Sequence, residues 1–177
     1  MSKAIDDLMH EHEAILFALG ILDRMAAAQD LDAGDAGNFL GFLQEFGDKC
    51  HHAKEEEILF PALAQAGIPN EGGPIGVMLY EHEQGRGLIR QMSQAVSGAG
   101  VDATGFAAAA GQYRTLMQNH IQKENNVLFP MADTVLPQAL LEQIFVAFEQ
   151  HEEAVIGHGR HEELHALLHG LAQKYGA

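Results

Sequence analysis

This chain has no tryptophan and one cysteine, and it sets only 10 lysines and arginines against 25 aspartates and glutamates. Each shortage excludes something. A single thiol, Cys50, rules out an internal disulfide framework and fits a reducing compartment, so the expected location is the cytoplasm. Cys50 continues the apolar stripe of Phe39 and Phe46, which makes it a buried small hydrophobe rather than a reactive thiol. A net charge of −15 argues against nucleic acid or an anionic membrane as partner and is compatible with binding cations. No apolar run is long enough to span a bilayer. The opening "MSKAIDDLMHEHEAIL" is acidic early and lacks an apolar core, so no secretory leader is expected. Strand-like alternation is also missing, while apolar residues recur at helical spacing almost throughout. With 177 residues, 47% of them hydrophobic, the expectation is one all-α domain covering residues 1–177.

The periodicity and breaks predict five helices. The first runs from about Ser2 to Ala28, with Ile5, Leu8, Ile15, Leu19 and Leu22 facing inward. The second runs from about Asp35 to Ala66, where Pro61 should kink or end it. The third covers Ile75 to Val96. The fourth covers Gly105 to Ala132 and has Asp102 or Thr104 as N-cap. A fifth starts near Pro137 and runs toward Tyr175, with an interruption near Gly157–Gly159. Four long helices with short connections favour an up-down four-helix bundle over residues 1–132, with the segment 137–175 packed on it.

What the chain has in excess is histidine, 11 in all, and four of them fall into an internal repeat. "EHEAIL" on the first helix returns as "EHEQGR" on the third. "HHAKEEEILFP" on the second returns as "HIQKENNVLFP" on the fourth. The offset is 70 residues from His12 to His82 and 69 from His51 to His120. Positions i and i+4 share a helix face, so His51 with Glu55, and His120 with Glu124, aim an imidazole and a carboxylate at one point. His12 and His82 bring the total to four imidazoles and two carboxylates. That donor set suits iron or manganese better than a closed structural zinc site, and six side chains suit two ions rather than one. Burying the set is tolerable because carboxylate charge offsets metal charge.

These motifs resemble the hemerythrin-like (HHE cation-binding) family over roughly residues 2–132. The resemblance implies a non-haem di-iron centre with an oxo or hydroxo bridge, the ions held by His12 with His51 and by His82 with His120, and Glu55 and Glu124 bridging. It differs from the oxygen-carrying hemerythrins, which have a further histidine four residues from the third-helix one; here those positions are Met78 and Arg86. The pattern is closer to the four-His, two-Glu branch, which includes iron-centre repair proteins of nitrosative stress. An open coordination position suits oxygen, nitric oxide or peroxide as ligand. The expected function is therefore binding or sensing one of these. Iron storage or donation and a peroxide-decomposing or stress-related enzyme are the alternatives. The repair proteins carry an additional N-terminal cysteine-bearing domain, which is not expected here, nor is an appended output domain.

"HHAKEEE" offers a second pair, His52 with Glu56. Aligning the copies on Lys-x-x-x-x-Leu-Phe-Pro puts His51 on His120 and Glu55 on Glu124, while His52 falls on Ile121. On a regular helix His51 shares its face with Leu40, Leu43, Ile58 and Leu59. His52 shares its own with Gln44, Glu45, Asp48 and Glu56. The inner pair is thus expected to be His51–Glu55, with His52–Glu56 on the solvent side.

The C-terminal segment "HEEAVIGHGRHEELHALLHG" holds His151, His158, His161, His165 and His169. "HEELH" matches the His-Glu-x-x-His zinc motif, but no third ligand follows at the required spacing, so protease chemistry is not expected. The segment should dock through Phe145, Phe148, Val155, Leu164, Leu168 and Leu171 with its histidines wet. His161, nearest that stripe, is the candidate lid or extra ligand. Tyr80 and Tyr113 lie near His82 and His120, and each is expected to be a packed tyrosine rather than a redox partner.

Overall fold

The computed structural model describes residues 1–157 and 159–177. Helix α1 spans Lys3–Ala27 and α2 spans Ala33–Phe42. The α2 rod continues through wider, π-helical turns at Leu43–His52 and Glu55–Leu59 into α3, Phe60–Gln65. Then come α4 (Pro74–Val96) and α5 (Ala103–Lys123). The α5 rod passes through a third π-helical turn, Glu124–Leu128, into α6, Phe129–Val135. Helices α7 (Gln138–Val155) and α8 (Arg160–Tyr175) follow. No strand occurs among the described residues.

Helix starts follow from local chemistry. The Asp32 carboxylate accepts from Asp35 N at 2.8 Å, and that of Asp102 from Gly105 N at 2.9 Å, each satisfying an otherwise orphaned first-turn donor. Asp102, not Thr104, is therefore the cap of α5. Pro74 occupies the first turn of α4, where its missing N–H costs nothing.

Neither Pro61 nor Pro130 ends its helix. A proline removes one backbone donor and crowds the carbonyl four residues back. Here the turn before each proline is widened, so that Phe60 N–H reaches Glu55 O and Phe129 N–H reaches Glu124 O, five residues back. The extra residue gives the proline ring room and the rod runs on. The C-terminal segment is two helices rather than one. Gly157 and Gly159, with φ of 78° and 82°, turn the chain between them. His158 lies outside the described residues.

The two helical rods and α1 and α4 alternate in direction, and their buried residues form two apolar cores. One core joins Ile15, Leu19, Phe39, Phe46, Met92, Phe106 and Met117, with Leu164, Leu168 and Leu171 of α8 packed on it. The other joins Ile5, Leu8, Leu59, Ile75, Met78 and Phe129, with Leu141, Ile144 and Phe148 of α7. Val155, expected in the docking stripe, is exposed. On α1, α4 and the two rods the repeated histidine or His–Glu pair falls between the two cores. The fold thus places one polar layer inside an otherwise apolar bundle. No helix among the described residues is long and apolar enough to cross a membrane.

Candidate metal centre

The polar layer contains His12, His51, Glu55, His82, His120 and Glu124, every one of them buried. Their inward atoms meet. His12 Nε2 and His51 Nε2 are 3.0 Å apart, and His82 Nε2 and His120 Nε2 are 3.2 Å apart. The two carboxylates lie between these pairs. Glu55 directs Oε1 toward His51 Nε2 at 3.9 Å and Oε2 toward His82 Nε2 at 3.4 Å. Glu124 Oε2 is 3.2 Å from both His12 Nε2 and His120 Nε2. All six side chains singled out from the repeat therefore converge, and each carboxylate faces one histidine from each copy.

An outer ring of acceptors orients the imidazoles. Nδ1–H of His51 donates to Glu11 Oε2 at 2.8 Å, that of His82 to Glu56 Oε1 at 2.7 Å, and that of His120 to Glu81 Oε2 at 3.0 Å. His12 donates to Asn125 Oδ1 at 2.8 Å. An ionised carboxylate can only accept, so Nδ1 carries the proton and Nε2 turns its lone pair inward. This ring repeats as the inner set does. Glu11 and Glu81 precede the repeated first-helix histidines, and Glu56 and Asn125 follow the repeated glutamates.

Charge bookkeeping separates the two rings. Each outer carboxylate has its own cation: Glu11 has Lys54 at 2.8 Å, Glu56 has Arg86 at 2.7 Å, and Glu81 has Lys123. Glu55 and Glu124 have no lysine or arginine among the described residues, and none of their four oxygens has a hydrogen-bond partner. Two fully buried, unpartnered carboxylates facing four lone pairs form an arrangement that requires positive charge between them.

With no cation between them, the carboxylates draw the same positive charge from protons on the imidazoles. Burial pushes His120 down most, yet Glu124 and Glu81 outweigh it and raise it to about 10. Burial lowers His12 and His82 most, but the charges they face, Glu124 for His12 and Glu55 with Glu56 for His82, outweigh it and raise both. Glu124 is held well below the usual carboxylate range: burial opposes this, but His120 and His12 outweigh it. Of the four inward histidines only His51 is lowered, by burial, to about 3. The donors present fit a cation: imidazole nitrogens and carboxylates, oriented, buried and short of positive charge.

Two expectations need correction. His52 is not on the solvent side; it is 4% exposed and stacks on His82 with centroids 3.9 Å apart. Its partner is Asp48, with Nδ1 and Oδ1 3.4 Å apart, and not Glu56. The cause is the π-helical winding of Leu43–His52, which turns less per residue than an α-helix and brings His52 round beneath α4. Glu56 is not its partner but that of His82 and Arg86, half-buried rather than wet. His161 does not reach the centre; it touches Phe46 and lines a cleft between α1 and α8.

The neighbours behave as packing residues. Tyr113 is buried, which pushes its phenol up, and Tyr80 is 64% exposed and accepts from Gln84. Cys50 is buried, which raises its thiol to about 12. Sequence reading missed Lys54. It is fully buried and bonded to Asp7, Glu11 and Glu152 at 3.1, 2.8 and 3.0 Å. The repeated Lys-Glu of "KEEE" and "KENN" was its only signal.

The hemerythrin HHE cation-binding domain matches residues 3–132 of this chain. Proteins titled iron-sulfur cluster repair protein YtfE, from Pectobacterium carotovorum subsp. carotovorum, Pectobacterium atrosepticum and Yersinia pestis, are each 35% identical to it over 88 residues. That stretch covers 46% of this chain and 40% of each relative, so the chain spans less than half the length of these curated proteins. The converging ligand set, the bundle and the match over most of its length agree: the chain belongs to the hemerythrin HHE cation-binding domain family.

Proposed function

We propose that this protein binds two iron ions and uses them to handle or sense oxygen, nitric oxide or peroxide. His12 and His51 would hold one ion and His82 and His120 the other, with Glu55 and Glu124 shared between them. The observation that carries the reading is the set of four buried carboxylate oxygens without hydrogen-bond partners, facing imidazoles whose Nδ1 atoms are already committed outward. The choice of iron rests on the family and on the iron-sulfur cluster repair for which the relatives are named. When bound, the pair supplies an open redox-active position for a small ligand.

The chain's own residues do the rest. Glu11, Glu56, Glu81 and Asn125 hold the imidazole planes and keep each Nδ1 proton in place. The two apolar cores exclude bulk water on both sides of the layer. Phe129, stacked on His12 at 5.4 Å, and Phe60, stacked on His82 at 6.0 Å, close the layer on the side of the second core. Both follow the repeated leucine before the proline, so each copy contributes one. Residues 1–177 act as one domain in this reading, since α7 and α8 complete the two cores. Cys50, free and buried, fits a cytoplasmic setting.

The iron-sulfur cluster repair for which the relatives are named favours a second reading, iron donation or a repair activity. Three assays separate the possibilities in the iron-loaded protein. A reversible oxygen or nitric oxide adduct supports binding or sensing. Rapid oxygen evolution from peroxide supports an enzyme. Ready transfer of iron to a chelating acceptor protein supports donation.

A further inference from the structure

The histidines of α8 are not part of the centre, yet they are not scattered. His161 and His165 stand one turn apart, and their rings meet edge to face with centroids 4.7 Å apart. Across the groove, α1 presents His10 and Glu13, with Nδ1 and Oε2 3.3 Å apart. All four side chains line one cleft of about 180 Å³, whose remaining walls include Phe17, Phe46 and Leu168.

We propose that this cleft is a separate metal site that takes one divalent transition ion of the zinc or nickel class, through His161, His165 and His10, with Glu13 as the carboxylate donor. Two imidazoles four residues apart on a helix reach a common ion, which is the chemical content of the His-Glu-x-x-His spacing. Imidazole-rich sites select such ions over magnesium or calcium. Three imidazoles and one carboxylate make a four-ligand set of the kind zinc prefers. His10 and Glu13 have side chains 83% and 76% exposed, so both are free to turn toward an ion held by the α8 pair. Glu162, the general base of a protease motif, is exposed on α8 and is absent from the cleft lining. The site would bind metal without peptide hydrolysis.

The cleft shares Glu11 with the outer ring of the proposed iron centre, and counting the two metals separately distinguishes failure of this site from failure of that centre. The test is equilibrium dialysis of the protein as isolated against nickel, with iron and nickel measured per chain. The wild type should take up one nickel beyond its iron. The double variant His161→Gln/His165→Gln should take up none, and His10→Gln should need more nickel for half-saturation. Iron content and helical circular dichroism should match the wild type in both variants, because glutamine is a good helix former and His10, His161 and His165 are exposed or only partly buried. Absence of saturable nickel uptake in the wild type, or equal uptake in the double variant, would overturn the proposal. A parallel fall in iron content would overturn the separateness of the site.

Discussion

Glu11 on α1 accepts the Nδ1 proton of His51, 40 residues along the chain, at 2.8 Å. That bond sets the tautomer and the plane of the imidazole, and the other oxygen of Glu11 is held by Lys54. Replacing Glu11 by alanine should weaken metal binding about 10- to 100-fold, the usual cost of losing an outer partner of a ligating histidine. Glu81→Ala, its counterpart in the second copy, should do the same. Competition with a chelator of known affinity measures both, and an unchanged affinity would show that the ring orientation is set by packing alone.

His51 and His52 are adjacent but should behave differently. His51→Ala removes an inward lone pair and should strip metal. His52→Ala removes a ring stacked on His82 and should keep metal while losing about 2 kcal/mol of stability, a middling value for a core truncation. Metal analysis and thermal unfolding of the two variants decide it. Metal loss in His52→Ala with retention in His51→Ala would place the ligand register wrong by one residue.

Lys54 and Lys123 are repeat partners in unlike surroundings. Glu152 and Phe148 of α7 cover Lys54, whereas the Lys123 side chain is 41% exposed. Burial lowers the Lys54 ammonium, but the Glu11 and Asp7 charges outweigh it and the net shift is upward. Lys54→Met leaves those carboxylates uncompensated and should cost about 3 kcal/mol. Lys123→Met should cost less than about 1 kcal/mol, as exposed ion pairs do. Urea unfolding curves would give both values, and equal losses would contradict the role assigned to α7.

Helix α8 should loosen in acid. Glu45 is lowered first by its bonds from Arg160, at 2.9 Å each. For Asp35 burial is the largest single effect and raises it, but Lys174 and Tyr175 together outweigh it and the net shift is downward. A carboxyl with a depressed folded value adds stability above its ordinary value, 3.8 for Asp35 and 4.5 for Glu45, and loses it as pH falls through the depressed value. NMR signals of α8 should therefore shift below about pH 4.5 ahead of those of α1. Simultaneous loss of both helices would mean that these pairs do not hold α8.

The bundle was legible because its apolar spacing is regular and its repeat is long. His12, His51, Glu55, His82, His120 and Glu124 were legible because both copies place them at matching offsets. His52 was misread because a wheel drawn at 100° per residue does not describe Leu43–His52, where the winding is wider. Pro61 does not end its helix, for a related reason: the adjacent turn widens to accept it. The outer partners were present as matched letters, Glu11 with Glu81 and Glu56 with Asn125. Their role appears only once helices far apart in sequence are brought side by side.

Iron content with the absorption spectrum of the as-isolated protein tests the central claim most directly. Two irons per chain with the charge-transfer band of a bridged pair is the predicted result. Fewer than two metals per chain, or no such band, would contradict a di-iron centre at Glu55 and Glu124.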